Sequence, residues 1–292
     1  MTVILAITGR NLRLYFRDRL GVFFSLLGAL VLFLLYMLFL RSLQTSSLES
    51  SFPDASSATI SAFVDTWMFA GIISITTITT GLGAFSTFVD DAAAGRFRDF
   101  VASPIRRSQL VLGYLLSSVA IALSMSLLIL ILSFIYMFFA DGLVLTPGRL
   151  AIVLGEVALS CVAFAAVSAF VVSFVRTPGA FSALSTLVGT TLGFLAGAYV
   201  PIGLFPEGAR SLINALPFGQ TATIIRAQLS EQTLLALTEG QPAAADYLRD
   251  FFGITATVGD WHVPTAYVVG LLIAMAAVFT TLAALRIRRR LR

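Results

Sequence analysis

Lysine is absent from all 292 residues, cysteine and histidine occur once each, and charged side chains make up only 12% of the chain. Without lysine there is no P-loop cation for β/γ-phosphates and no amine for Schiff-base chemistry. Cys161 and His262 alone cannot assemble a His/Cys metal cluster, and a single cysteine excludes an intrachain disulfide. No H-E-x-x-H motif is present, and no polar constellation sits beside an apolar run as a membrane protease or glycosyltransferase would need. Neither catalysis nor a metal or cofactor is expected in this chain.

What the chain has instead is apolar surface, 58% of its residues. Six runs reach the roughly 20 residues needed to cross a bilayer core: Leu20–Leu40, Thr66–Val89, Leu110–Phe139, Leu150–Val175, Ala180–Val200 and Pro264–Leu285. The expected fold is an all-α polytopic membrane protein built as one transmembrane domain over residues 1–292. The first run follows arginines, as a signal peptide does, but it is too long for that and RSLQTSS after it offers no cleavage site. It reads as an anchor.

Arginine placement sets the topology. Fourteen of the nineteen arginines fall before span one, between spans two and three, between spans four and five, or in the C-terminal tail. The alternate side holds five: Arg41, Arg149, Arg210, Arg226 and Arg249. By the positive-inside rule both termini face the cytoplasm of a cell membrane, and all-arginine usage fits a GC-rich bacterial genome.

Residues 3–17 read as a helix in the membrane surface, with Arg10, Arg13 and Arg17 on one side, facing anionic headgroups. In span two, Thr76, Thr79 and Thr80 share an arc of about 100° on a helix; they line a pathway or serve helix packing. Span five places Gly189, Gly193 and Gly197 four residues apart, a small-residue face for close packing. Glu156 lies inside span four. A buried acid there suits a proton or cationic substrate, a headgroup-depth position, or a hydrogen bond to a neighbouring helix. After span five, Pro201, Phe205, Pro206 and Pro217 punctuate pieces too short to span. With helices expected over Glu207–Leu216 and Thr221–Leu229, residues 201–230 read as a re-entrant pair or as a loop lying on the outer surface. Residues 231–263 form an external, polar, acidic insertion.

Between spans two and three stands AAAGRFRDFVASPIRRSQLVLGY, Ala92 to Tyr114. Arg96–Ala102 is expected to form a short helix ended by Ser103-Pro104, with Phe97 and Val101 on one face and Phe100 beside them. Aromatic knobs with a charged rim make a handle for another protein. This run resembles the segment after the second span in permeases of the type-2 ATP-binding-cassette exporter family. VPIGLFPEGARSLINALPF is similar to that family's motif after span five.

The resemblance implies a coupling segment at residues 92–107 whose helix seats on a separate ATPase subunit through Phe97, Arg98, Phe100, Val101, Ser103, Pro104 and Arg106. It implies two permease chains, as homodimer or heterodimer, with two ATPase subunits that bind ATP and magnesium. It implies efflux of a drug, antibiotic or lipid, with polysaccharide or wall polymer as the alternative cargo. An ion-driven transporter or channel using Glu156 is the competing mechanism. No nucleic-acid partner is expected. Asp90 and Asp91 stand where the family often has glutamate, and neither is expected to be essential.

Overall fold

The structure, a computed structural model, describes residues 2–102, 105–197 and 199–290. Helix α1 (Thr2–Arg17) turns into α2 (Arg19–Leu35), whose first turn is capped by the Asp18 carboxylate accepting from the Gly21 N–H at 2.9 Å. A π-helical turn (Tyr36–Leu40) leads without a break into α3 (Arg41–Ser51). The first span was expected to stop at Leu40. It continues as one rod of 33 residues, because RSLQTSSLES contains neither glycine nor proline, and it stops only at Phe52-Pro53.

Helix α4 (Ser57–Gly83) begins at the Ser56 cap and continues, after a kink at Ala84–Phe85, as α5 (Ser86–Ala93). The expected start was Thr66, which left Asp65 outside the span. Asp65 is instead fully buried, its two oxygens accepting from Arg41 at 3.0 and 3.1 Å. Pairing turns an expected boundary residue into an interior one.

After the short helix α6 (Phe97–Ala102) come α7 (Arg107–Asp141), ended by left-handed Gly142, and α8 (Pro147–Val172), capped by Thr146 with proline at its first position. Then follow α9 (Pro178–Leu195), a 3₁₀ turn (Ile202–Leu204), α10 (Glu207–Ala215) and α11 (Pro217–Leu237). Helix α12 (Pro242–Phe251), a hairpin of β1 (Thr257–Val258) and β2 (Trp261–His262), and α13 (Thr265–Arg290) complete the chain. Among the described residues, five helices are long and apolar enough to cross a membrane; α9, with 18 residues, stands where the sixth run was expected.

Helix α4 is the hub, packed on α7, α8, α11 and α2. Its spanning window is 83% buried, against 17% for those of α2 and α13, whose apolar faces therefore meet lipid or another chain. Without water to drive helices together, close approach decides the contacts. Gly81 of α4 lies where a Cβ would stand 3.6 Å from that of Ala122, and Ser118 donates to the Gly81 carbonyl at 2.7 Å. These small residues on spans two and three carry tight packing that the sequence pattern suggested for span five.

The insertion is more ordered than a polar loop. Helix α11 runs on through Glu231, and Arg249 of α12 reaches back to Glu231 at 2.6 Å and to Asp246 at 2.7 Å. Phe252, buried, packs edge-on against Phe63 and Trp67 of α4.

Candidate functional site

Two features gather the polar groups of this apolar chain: a charge centre behind α6, and a cavity beside α2, α4 and α9. The charge centre is Asp91, fully buried at the end of α5. Arg10 of α1 donates to its two oxygens at 2.6 and 2.9 Å, Arg96 at 2.5 Å, and the Tyr114 hydroxyl of α7 also donates. One carboxylate thus joins the N-terminal helix, the approach to α6, the end of span two and the start of span three. Arg10, expected to face lipid headgroups, faces this carboxylate instead, which raises its already high pKa. Around it α1 docks on α7: Ile7 is buried, Thr8 donates to the Gly113 carbonyl at 3.2 Å, and the Asn11 side chain donates to Ser117 at 3.1 Å. A Cβ on Gly113 would lie 2.7 Å from two Ile7 carbons, so glycine is required for this approach.

Gly95, with φ +73°, turns the chain into α6. The expected aromatic knobs then point inward. Phe97 stacks against Phe88 at 5.1 Å, with Tyr114 at 6.2 Å and Phe100 at 6.4 Å, while Arg10 lies over the Phe100 ring at 5.7 Å. Their apolar area is better covered by this chain's own core than left for a partner. Arg98 and Val101 lie on the backbone of α6; Ser103 and Pro104 fall outside the described residues. Ala102 and Arg106 are exposed, and the Arg106 N–H donates to the Gln109 side chain at 3.0 Å.

Beside this unit opens a cavity of about 520 Å³ between the α1–α2 turn, the α4–α5 kink and α9. Its polar lining residues include Asp18, Ser86, Thr87, Asp90, Arg96 and Ser182, beside apolar surface from Leu14, Tyr15 and Phe181. A second cavity of about 390 Å³ shares Ser25, Gly83 and Ser185 with the first and continues along the same three helices to Tyr199. There the lining turns apolar, with Phe24, Leu32, Ile72 and Ile75 among hydroxyls from Thr76, Thr79 and Thr190. The two lobes make one groove, lined by charged residues only at the end near Asp91.

The expected pathway residues divide. Thr76 and Thr79 line the second lobe, each satisfying its hydroxyl on the carbonyl four residues back, at 2.7 and 3.0 Å. Thr80 does the same at 2.6 Å but lines neither lobe. Glu156 is buried in α8 away from both lobes, and among the described residues its Oε2 has no partner.

Within this chain the three glycines do not share one packing face. A Cβ on Gly189 would meet nothing within 4 Å and would project into open space; Gly193 is covered by the Tyr199 ring; Gly197, at φ +63°, lies past the helix end. Regular spacing holds a stripe together only while the helix lasts, and α9 ends at Leu195. Pro201 precedes the 3₁₀ turn, Phe205 is extended and half-buried, Pro206 precedes α10, and Pro217 opens α11. The helices α10 and α11 pack where Gly219 meets the Ile213 carbonyl, too close for any Cβ, so α11 starts four residues before the expected Thr221.

Sequence reasoning set Arg10 against headgroups, treated Asp91 as inessential, counted Arg41 and Arg226 only as outer-side charges, and did not single out Tyr114 or Asp65. The signal was their rarity: an ionisable residue inside or beside a span implies a partner. Which partner, spacing does not say.

An all-α bundle with five helices long and apolar enough to cross a membrane, and a groove along them, defines a polytopic membrane protein. Residues 2–229 match the family model of ABC-2 type transporters, and the chain belongs to that family. It is accordingly a permease subunit of an ATP-binding-cassette transporter, whose family works with an ATPase partner in the membrane. The match stops before α12, the hairpin and α13. No curated protein matches the chain.

Proposed function

We propose that this permease exports a hydrophobic or amphipathic molecule, a drug, antibiotic or lipid, from the cytoplasm of a bacterial cell by alternating access. The groove beside α2, α4 and α9 carries the reading, since its two lobes adjoin at Ser25, Gly83 and Ser185 and charged residues line only the first. An amphipath can keep its polar group in the first lobe and its apolar body in the second without losing hydration uncompensated. Glu156, away from the groove, does not favour ion-coupled transport.

In this reading both termini are cytoplasmic, and two permeases work with two ATPase subunits that hold ATP and magnesium. Helix α6 seats on the ATPase, with the exposed Ala102 at its end and the exposed Arg106 just before α7 at the contact. Phe97 and Phe100 brace it from behind. A push on α6 passes through Arg96 and Phe97 to Asp91, Phe88 and Tyr114, and so to α5 and α7 together. The re-entrant pair α10–α11 acts as the outer lid.

The test is ATP-driven movement of a rhodamine dye and a fluorescent phospholipid in vesicles carrying the permease with its ATPase. Thr79→Trp should fill the second lobe and abolish movement while folding is kept; Thr80→Ala should transport normally. Transport unimpaired by Thr79→Trp would sink the groove as the path. Movement of neither probe by the parent would sink the amphipath reading.

A further inference from the structure

Arg226 of α11 is completely enclosed, and among the described residues no acid pairs with it. Sequence counts it as an outer-loop charge. Its Nη2 donates instead to the carbonyls of Ala196 and Gly197 at 2.7 and 2.8 Å, where the chain leaves α9. Those carbonyls carry the negative end of the α9 dipole, so a cation from another helix caps span five.

The socket is built to fit. Gly197 and Gly253, at φ +63° and +65°, face the guanidinium, and a Cβ on either would lie 3.2 to 3.4 Å from its nitrogens. The Trp67 ring of α4 lies 5.5 Å from Cζ, and the Trp67 indole N–H donates at 2.8 Å to the carbonyl of Phe252, next to Gly253. Span two, the end of span five, the re-entrant pair and the outer insertion therefore meet at one side chain.

The contacts around it are unequal. Two charge-assisted hydrogen bonds tie Arg226 to the end of α9, whereas its tie to α4 is a ring contact at long range. Nε and Nη1 have no partner among the described residues.

We propose that Arg226 is a positioning residue that clamps the end of span five to the re-entrant pair, so the two move as one body. This rests on the reading of α10–α11 as the outer lid. A hinge between α9 and α10 would instead break both carbonyl bonds.

The full permease with its ATPase, in membranes, tests this with Ile202→Cys as reporter. Ile202 is buried in the 3₁₀ turn between α9 and α10, and buried Cys161 serves as the internal control. Maleimide labelling is followed with and without ATP. Arg226→Met, which keeps bulk and removes every donor, should raise reporter labelling without ATP about tenfold and leave Cys161 unchanged. Arg226→Lys, still able to donate to the carbonyls, should stay within about threefold of the parent. The clamp is refuted if Arg226→Met leaves the reporter protected, if Lys behaves like Met, or if Cys161 labels in step. A parent reporter indifferent to ATP would remove the lid reading alone, since the clamp is judged from the variants.

Discussion

Replacing Asp91 by asparagine should detach α1 from the bundle while leaving the spans in place. The side chain keeps its shape but loses the charge that accepts from Arg10, Arg96 and Tyr114. Removing one partner of a buried ion pair costs about 3–5 kcal/mol, because the other charge is left desolvated. Here the stranded arginines are partly wet: the Arg10 side chain is 32% exposed and that of Arg96 52%. Both can rehydrate, so the cost falls below that range, to about 2–3 kcal/mol. At roughly 2 °C per kcal/mol for a chain of this size, the detergent-solubilised protein should melt about 5 °C lower. A double-mutant cycle with Arg10→Gln isolates the contact, and the coupling should be about 1–2 kcal/mol. An Asp91→Asn protein melting within about 1 °C of the parent, with α1 no more open to protease, would refute the shared-carboxylate account.

Arg41→Ala should cost about 3 kcal/mol by stranding the buried Asp65, and Arg41→Ala/Asp65→Leu should regain most of it, as thermal melts will show. Gly113→Val should push Ile7 off α7 and destabilise by about 1–3 kcal/mol, with Gly189→Ala as the tolerated control, since nothing lies within 4 Å of its added Cβ. Phe97→Ala should lower the melting temperature by removing a ring from the Phe88–Tyr114 cluster, whereas Arg106→Glu should leave it unchanged. Co-purification with the ATPase should show Arg106→Glu losing capture while remaining folded; undiminished capture would remove Arg106 from the contact.

The membrane class was legible because span detection needs only length and apolarity, which are local. Helix starts were less legible: α8 begins at Pro147 rather than the expected Leu150, and α4 at Ser57 rather than Thr66, because the buried Asp65 is paired with Arg41. The motif that ends α6 could be seen in the sequence, but the direction of its aromatic face could not. Helical spacing puts Phe97 and Val101 on one side without saying which side is covered. Phe88 and Tyr114, from two other helices, settle that.

By itself, then, the sequence determined the solvent this protein lives in, the order of its helices and the absence of a P-loop in its own chain, since each follows from residue type and short-range period. Only the tertiary structure decided which charges meet. Asp91 with Arg10 is separated by 81 residues and Arg41 from Asp65 by 24, and Arg226 finds carbonyls rather than an acid. In a low-dielectric interior a charged group is costly without a partner, and in this fold helix packing selects partners for Asp91, Asp65 and Arg226 that spacing along the chain cannot name.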